Sequence, residues 1–391
     1  MYKIQTLNKI SSKGLDLLPR DMYEIASEIG HPDGIILRSF KMHDMDLPKS
    51  LKAVARAGAG VNNIPIEKCT EKGVVVFNTP GANANSVKEL VFTGMLLSAR
   101  KVKEALEWIP TLDGTGDEVP KLVEKGKSQF TGTEISGKKI GVVGLGAIGV
   151  MVANTATALG MEVLGFDPFI TVDNAWDLHH SITRCRSIDE LLAECDYISL
   201  HVPLNDNTKG LLNKERFKNI NKNVVILNFA RGGLVNNADL KEAIDEGKVS
   251  CYVTDFPDQE LLQTKNVINL PHLGASTEEA EENCAVMAAN QLKDFLESGN
   301  IKNSVNFPEC DLPFTTDHRL IIANKNIPNM VGQISSVIAV DGINIQDMVN
   351  KHKNDLAYNI INIDGEIAEA TIEKIRNIDG ILMVRFFKKE R

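Results

Sequence analysis

The sequence lacks long apolar runs, paired cysteines and an excess of positive charge. No apolar run reaches the roughly 18 residues that a membrane-spanning helix needs. The 6 cysteines are scattered without a CxxC pair, so we expect no metal site. The net charge of -9 argues against non-specific nucleic-acid binding, which requires a basic surface. These absences argue against a membrane partner, a bound metal and a nucleic-acid partner.

The opening stretch, MYKIQTLNKI, holds neither the apolar core nor the small-residue cleavage pattern of a signal peptide. We therefore expect a cytoplasmic protein whose thiols are reduced and mostly buried. The chain has 391 residues, of which 43% are hydrophobic and 24% are charged. This length and composition are typical of a globular protein with two to three domains.

Short apolar runs alternate with helical patterns between residues 139 and 270. The runs are KIGVVG (139–144), MEVLGF (161–166), YISLHV (197–202), NVVIL (223–227), SCYVTDF (250–256) and NVINL (266–270). Strands that are buried on both faces have this continuous apolar character, and the segments between the runs are long enough for crossover helices. The pattern predicts an α/β protein with a doubly wound, parallel Rossmann-type sheet.

Two further patterns flank this region. A shorter α/β pattern fills the first hundred residues, and the helical stretch 275–298 is predicted to pack back on it. The predicted organisation is therefore a substrate-binding domain over 1–95 and 285–310, with a larger domain over 96–284 inserted into it. After a linker, residues 318–391 show the β-α-β-β-α-β order of a ferredoxin-like module.

The stretch GVVGLGAIG indicates a dinucleotide site. Gly144, Gly146 and Gly149 form G-x-G-x-x-G after a strand and before a helix, and Asp167 follows about twenty residues later. The glycines permit a tight turn, close approach of the pyrophosphate and close helix packing, and the helix N-terminus offers free N–H groups. Asp167 suits ribose hydroxyls and would repel a 2′-phosphate, which favours NAD over NADP. A glycine-rich turn in an unrelated α/β protein is the alternative.

Other residues predicted to line the cofactor site lie within the glycine loop or after the strand ends. They are Ala147, Ile148, His201, Val202, Pro203, Phe229, Ala230, Asp255 and Gly274.

Charged side chains follow three predicted strands. Arg231, in NFARGG, follows the strand 223–227; Asp255 and Glu260 follow the next strand, and His272 follows the last. Ligands of doubly wound sheets bind outside the carboxyl ends of the strands, so these groups are expected in one crevice. Taken singly, each has a plainer interpretation as a solvated loop residue, a structural histidine or a turn residue.

Together the residues suit the oxidation of a hydroxy acid by NAD. His272 can take the hydroxyl proton, because histidine titrates near neutral pH. Glu260 would orient the histidine ring and stabilise its protonated form. Arg231 can bind an α-carboxylate through two hydrogen bonds, and Asp255 can hold the carboxamide of the nicotinamide.

These segments resemble those of the D-2-hydroxyacid dehydrogenases. NFARGGLV, TDFPDQE and PHLGAST are similar to that family's Arg, Glu and His segments, and VVGLGAIG and HVPLNDNTKGLL to its cofactor segments. The resemblance covers about residues 35–305 and implies Arg231, Glu260 and His272 as the catalytic set. Residues 318–391 resemble an ACT domain, a regulatory module that binds amino acids.

The combination is most similar to the phosphoglycerate-oxidising members of the family. It implies oxidation of 3-phospho-D-glycerate to 3-phosphohydroxypyruvate with NAD, the first step of phosphorylated L-serine biosynthesis, in a homodimer or homotetramer. Arg38 and Arg56 are candidates for binding the phosphate, and the N–H groups of Ala59 and Gly60 for the carboxylate. Two further candidate substrate residues are Asn83 and Lys127, the latter reaching a neighbouring subunit.

The ACT-like segment makes L-serine a candidate effector. Asn326 and Asn344 match positions that hold serine across an ACT dimer. Asn324 stands where serine-sensitive relatives often have His, and Asn329 where Gly is typical. The segment could instead serve assembly alone. A reductase of another 2-oxo acid and a non-enzymatic NAD-sensing scaffold are the alternative functions.

Overall fold

The computed structural model describes residues 1–389, and the chain divides into two compact units. The first unit joins residues 1–83 to the segment that begins at Glu278, and the second holds residues 84–277. Each unit is built on a parallel sheet.

The N-terminal part of the first unit is a five-stranded parallel sheet in the order β2-β1-β3-β4-β5. The central strand β3 and its neighbour β4 are almost entirely buried, as their uninterrupted apolar sequences require. The elements are β1 (Tyr2–Leu7), α1 (Ser12–Leu15), β2 (Tyr23–Ala26), β3 (Gly34–Leu37), β4 (Ala53–Arg56), α2 (Ile66–Glu71) and β5 (Val75–Phe77).

The second unit is a seven-stranded parallel sheet in the order β12-β11-β10-β9-β6-β7-β8. The predicted Rossmann-type sheet is confirmed, and its strand order reverses between β6 and β9. Its helices are α3 (Ala84–Arg100), α4 (Val102–Trp108), α5 (Glu118–Gly126), α6 (Ala147–Ala158), α7 (Val172–Trp176), α8 (Ile188–Glu194), α9 (Lys214–Asn219) and α10 (Asn237–Asp245). Its strands are β6 (Lys139–Val143), β7 (Glu162–Phe166), β8 (Thr183–Arg184), β9 (Tyr197–Leu200), β10 (Val224–Asn228), β11 (Val249–Thr254) and β12 (Val267–Asn269).

The boundaries between the units differ from those expected at 95/96 and 284/285. Helix α3 belongs wholly to the second unit, because it packs against α6, β10 and β11. Gly94 is part of that contact: a Cβ there would lie 2.9 Å from the Phe229 ring. Helix α11 (Glu278–Ser298) belongs to the first unit, where it packs against α1, β3, β4 and β5.

The C-terminal module, residues 318–389, has an antiparallel sheet in the ferredoxin-like order β14-β15-β13-β16. Its two helices cover one face of that sheet through Ile334, Ile338, Ile372 and Ile375. Its elements are β13 (His318–Lys325), α12 (Met330–Val340), β14 (Ile345–Lys353), β15 (Leu356–Ile363), α13 (Glu369–Arg376) and β16 (Ile381–Lys388).

The other face of the module's sheet shares a core with the N-terminal sheet. Ile321, Tyr358 and Ile360 of the module belong to the same buried cluster as Phe77 and Phe295. The module is therefore part of the first compact unit, whereas the sequence predicts a separate domain after a linker.

Polar contacts fasten the module to the C-terminal end of α11. Arg385 donates to the carbonyl oxygens of Phe295 and Leu296, at 3.0 and 2.7 Å. The buried Arg319 donates to Ser298 O at 2.9 Å, and the Tyr358 hydroxyl donates to Gly299 O at 2.7 Å. The last carbonyls of a helix have no partner within it, so these contacts satisfy groups that burial would otherwise penalise.

No helix in the described range, 1–389, is long and apolar enough to cross a membrane. All 6 cysteines are free; Cys251 is partly exposed and the others are buried.

We expect Phe295→Ala to lower the free energy of unfolding by about 3–5 kcal/mol, the usual result of truncating a fully buried phenylalanine. Urea unfolding followed by circular dichroism measures it. Phe169→Ala is the matched control, since that ring is 89% exposed and its loss should change stability by less than about 0.5 kcal/mol. Equal effects of the two substitutions would contradict the shared core.

Candidate active site

The strands β6, β7, β9, β10, β11 and β12 of the second unit end level with one another. In the hydrogen-bond register, Val143 lies opposite Phe166 and Leu200, and Asn228 lies opposite Leu200 and Thr254. The residue after each of these ends is a predicted site position: Gly144, Asp167, His201, Phe229 and Asp255. Parallel strands point the same way, so these positions share the edge of the sheet at which ligands of this architecture bind.

Steric contacts explain the glycine loop between β6 and α6. A Cβ on Gly149 would lie 1.9 Å from Gly144 O, so only glycine fits the turn. Gly144 has φ +91, and a Cβ there would lie 2.5 Å from His201 O. Apart from Gly146 itself and its two chain neighbours, no described residue has an atom within 4 Å of the Cβ position of Gly146, which leaves its backbone accessible.

Two groups at this loop can contact a dinucleotide. The first-turn N–H groups of α6, at Ala147, Ile148 and Gly149, have no partners within the helix and can donate to phosphate. Asp167 accepts from Leu145 N at 2.7 Å through Oδ2 and from Phe169 N at 2.8 Å through Oδ1. These contacts fix the carboxylate beside the glycine loop and leave lone pairs for ribose hydroxyls.

The turn after β10 is organised by Asn228, a residue that the sequence did not single out. Its side-chain amide is buried and donates to Arg231 O at 2.9 Å and to the Tyr252 hydroxyl at 3.0 Å. Its Oδ1 accepts from Ala230 N at 3.2 Å. Arg231 is exposed, and its Nη1 donates to Ala230 O at 2.7 Å. Asn228 therefore positions the backbone from which the arginine projects.

Asp255 is the most informative side chain at this edge. It is 1% exposed, and burial raises the pKa of its carboxyl. Oδ2 accepts from Gly274 N at 3.0 Å, whereas the buried Oδ1 has no hydrogen-bond partner within residues 1–389. A buried acceptor without a donor is costly. A carboxamide N–H of nicotinamide is the kind of donor that would satisfy it, so the residues present fit NAD.

Asp255 also holds the segment that carries His272. The His272 N–H donates to Asp255 O at 3.0 Å, and the residue has the left-handed φ of 51°. Its exposed ring packs on Phe256, with the ring centroids 4.6 Å apart. The histidine position therefore depends on the residue whose side chain would contact the cofactor.

The expected contact between Glu260 and His272 is not formed. Glu260 lies in an exposed turn, and its carboxylate forms an ion pair with Lys241 Nζ at 3.7 Å. The turn is held by Asp258, which accepts from the backbone N–H groups of Glu260 and Leu261. In this conformation the carboxylate is directed to the lysine on α10.

The remaining predicted cofactor positions differ in exposure. Phe229 is 5% exposed and packs on α3. Its side chain therefore supports the site from beneath and offers little surface to a ligand. Val202 and Ala230 are partly buried, and Pro203 is exposed. His201 has a buried Nδ1 without a partner among the described residues, and its Nε2 lies 2.8 Å from Ser199 Oγ. Burial lowers the pKa of His201 to about 4.

Most predicted substrate residues lie in the first unit, at the carboxyl ends of the neighbouring strands β3 and β4. Arg56 donates to Arg38 O at 3.0 Å and also to Gly60 O, while Arg38 forms an ion pair with Glu281. The N–H groups of Ala59 and Gly60 form no backbone hydrogen bond within the described chain. The loop thus combines two guanidinium groups with free N–H donors.

The other two substrate candidates lie in other segments of the chain. Asn83 lies in the turn before α3 and is half-buried. Lys127, in the second unit, is exposed and forms an ion pair with Glu124 at 2.5 Å.

The three predicted effector residues have different environments. Asn324 is 1% exposed; its Nδ2 donates to Lys325 O at 2.6 Å and its Oδ1 accepts from Asn359 at 2.8 Å. Asn326 is exposed in the loop after β13, and Asn344 lies in the loop before β14. The interior position of Asn324 gives it a role in the sheet.

Similarity to known proteins supports a dinucleotide site at this edge of the sheet. The geometry defines a dinucleotide-binding domain, and residues 92–274 match the D-isomer specific 2-hydroxyacid dehydrogenase, NAD binding domain. The D-3-phosphoglycerate dehydrogenase of Haemophilus influenzae is 31% identical over 338 residues, which are 83% of this chain and 78% of that protein. The chain therefore belongs to this family of NAD-dependent dehydrogenases.

Two other relatives carry similar names. The D-3-phosphoglycerate dehydrogenase of Methanocaldococcus jannaschii is 37% identical over 294 residues, 73% of this chain. Those residues are 54% of that protein, so the chain spans about half of its length. The NAD+-bound structure of 3-phosphoglycerate dehydrogenase from Entamoeba histolytica is 28% identical, with a TM-score of 0.60, covering 78% of this chain and 98% of that one.

We expect His201 to make stability depend on pH in weakly acidic solution. Its pKa is lowered from 6.5 to about 4, so between these values the unfolded chain binds a proton that the folded chain does not. The free energy of unfolding should therefore fall as the pH falls through this window, by up to about 1.4 kcal/mol per pH unit. Urea unfolding at several pH values measures the slope.

His201→Gln should remove this contribution to the slope, whereas the exposed His180→Ala should keep it. An unchanged slope in His201→Gln would show that His201 is not the source of this pH dependence.

Proposed function

We propose that the chain oxidises 3-phospho-D-glycerate to 3-phosphohydroxypyruvate with NAD, which is the first step of phosphorylated L-serine biosynthesis. The observation that carries the proposal is the level row of strand ends, which brings the glycine loop, Arg231, Asp255 and His272 to one edge of the sheet. The names of the relatives that are 31–37% identical support the choice of substrate.

NAD, when bound, supplies the acceptor for the hydride that leaves the hydroxyl-bearing carbon. The α6 N-terminus would hold its phosphates, Asp167 its ribose and Asp255 Oδ1 its carboxamide. In the same site, Arg231 would bind the substrate carboxylate through two charge-assisted hydrogen bonds. His272 would accept the hydroxyl proton at its ring nitrogen, and would return it in the reverse reaction.

Glu260 would assist His272 after exchanging partners. Its ion pair with Lys241 is solvent-exposed, with side-chain exposures of 60% and 38%. Pairs of this kind contribute about 0–1 kcal/mol, so turning the carboxylate away costs little. Facing His272, it would stabilise the imidazolium and fix the ring.

The substrate would be held at the loop after β4. Arg38 and Arg56 would neutralise the phosphate, and the N–H groups of Ala59 and Gly60 would donate to the carboxylate. The arrangement of guanidinium groups around free backbone donors supports this assignment. Asn83 would also contact the substrate, and Lys127 would reach the substrate of a neighbouring subunit.

The C-terminal module would act as an ACT domain in a homodimer or homotetramer. Asn326 and Asn344, both in loops, are the residues that would contact L-serine. The ferredoxin-like strand order supports this assignment.

His272→Ala should reduce turnover by about a hundredfold or more, since general-base catalysis contributes about that factor. The measurement is NADH absorbance with 3-phospho-D-glycerate and NAD, with a phosphoserine transaminase coupled to remove the product. His180→Ala, an exposed histidine outside the sheet edge, should retain full turnover. Full activity in His272→Ala would exclude the histidine as the base, and absent activity in the wild type would exclude the substrate.

Arg38→Ala should raise KM for 3-phospho-D-glycerate at least tenfold more than KM for D-glycerate, because only the first substrate carries the phosphate. Arg38→Ala is preferred to Arg56→Ala as the test. Arg56 donates to Gly60 O, so its removal would also disturb the loop. Arg20→Ala, an exposed arginine of the same unit, serves as the control. Equal losses for both substrates would contradict the phosphate assignment.

A further inference from the structure

A basic cavity of about 450 Å³ lies within the first unit, where β16 of the C-terminal module meets the segments before β4 and after α2. The segments before β4 and after α2 contribute three cations to it and the module contributes two: Lys49, Lys52, Lys72, Arg376 and Arg385. No acidic side chain of the described residues lines the cavity. This concentration of positive charge occurs in a chain of net charge -9.

Three of the five cations have no carboxylate partner. Lys49 forms no hydrogen bond or ion pair with any residue in the range 1–389. Lys72 donates to Leu47 O at 2.9 Å, and Arg385 donates to two α11 carbonyls, so both bind neutral acceptors. Within residues 1–389, neither side chain forms an ion pair with a carboxylate.

The other two cations are paired. Lys52 forms an ion pair with Asp33, a carboxylate whose negative charge also stabilises the Arg385 cation. Arg376 forms an ion pair with Glu369 at 2.7 Å and with Glu373 at 2.5 Å, on the exposed side of α13. The cavity therefore keeps a net positive charge after its neighbours are counted.

The remaining wall is formed by residues 381–384 of β16, an edge strand of the module's sheet. Gly73, with φ +69, brings the turn after α2 against this strand, and a Cβ there would lie 3.3 Å from Leu382 O. One side of the cavity is therefore lined by cationic side chains, and the other side is formed by β16. Its volume is within the range of small-molecule sites.

We propose that this cavity binds a small phosphate-bearing anion, separately from the candidate active site. Phosphate is the ligand chemistry that several converging Lys and Arg side chains favour, and a carboxylate on the same ligand would use the further cations. The bound anion links β16 to the N-terminal end of β4, the strand whose other end carries Arg56. It would therefore connect the module to the strand that leads to the predicted substrate loop.

The test follows the methyl group of Met383, which lines the cavity, in protein labelled with ¹³C-methyl methionine. The Met383→Leu variant lacks this labelled methyl group, so the signal that disappears from its spectrum is assigned to Met383. Titration with inorganic phosphate, and separately with 3-phospho-D-glycerate, should shift this signal to saturation. The organic phosphate should bind more tightly because it adds a carboxylate. Two control titrations, one with sodium chloride at matched ionic strength and one with L-serine, should leave the position of the signal unchanged.

Lys49→Glu combined with Lys72→Glu should raise the Kd for phosphate at Met383 at least tenfold, which corresponds to about 1.4 kcal/mol. Both lysines are exposed, so the fold should persist, and circular dichroism checks it. Lys302→Glu, an exposed lysine of the same unit outside the cavity, should leave the Kd unchanged.

Three outcomes would overturn the proposal. The first is a Met383 signal that does not move with either phosphate compound. The second is an equal rise in Kd for Lys302→Glu, which would indicate a general charge effect. The third is a shift with L-serine alone, which would make the cavity an amino-acid site. None of these readouts depends on catalytic turnover.

Discussion

The candidate site depends on the register of the parallel strands in the second unit. Backbone hydrogen bonds hold the ends of β6, β7, β9, β10 and β11 in one row, and each site segment begins directly after that row. A slip of one residue in any strand would turn its side chains to the other face and displace the segment after it. The buried apolar residues of these strands therefore determine where the charged groups lie, although none of them takes part in the chemistry.

Strands with continuous apolar runs were predictable from the sequence, including β12 at the edge of the sheet. The six apolar runs between 139 and 270 became β6, β7, β9, β10, β11 and β12. The missed strands are those without such runs. β1 alternates apolar and polar residues and buries only Ile4, and β8 consists of two exposed residues. Half-buried or very short strands such as β1 and β8 are recognised by their neighbours in space, which a local pattern does not contain.

The site residues were predictable where steric constraints between residues close in the sequence fix the residue type. A glycine at 149 is required by the 1.9 Å approach to Gly144 O, and that requirement is visible as a spacing in the sequence. The function of Asn228 was not visible, because its importance lies in partners at Arg231 and Tyr252 that only the fold brings near. The ion pair of Glu260 with Lys241 likewise joins two segments by their folded positions.

The shared core of the first unit has a consequence for how this chain could be rearranged in evolution. A module that is joined only by a linker can be lost or exchanged as a cassette. Here the module's sheet shares one buried core with Phe77 and Phe295, and its arginines donate to the last carbonyls of α11. A chain ending before β13 would expose that apolar surface to water and leave the α11 carbonyls without their donors. Gain or loss of this module therefore requires matching changes in α11 and β5, which makes the two parts a single heritable unit.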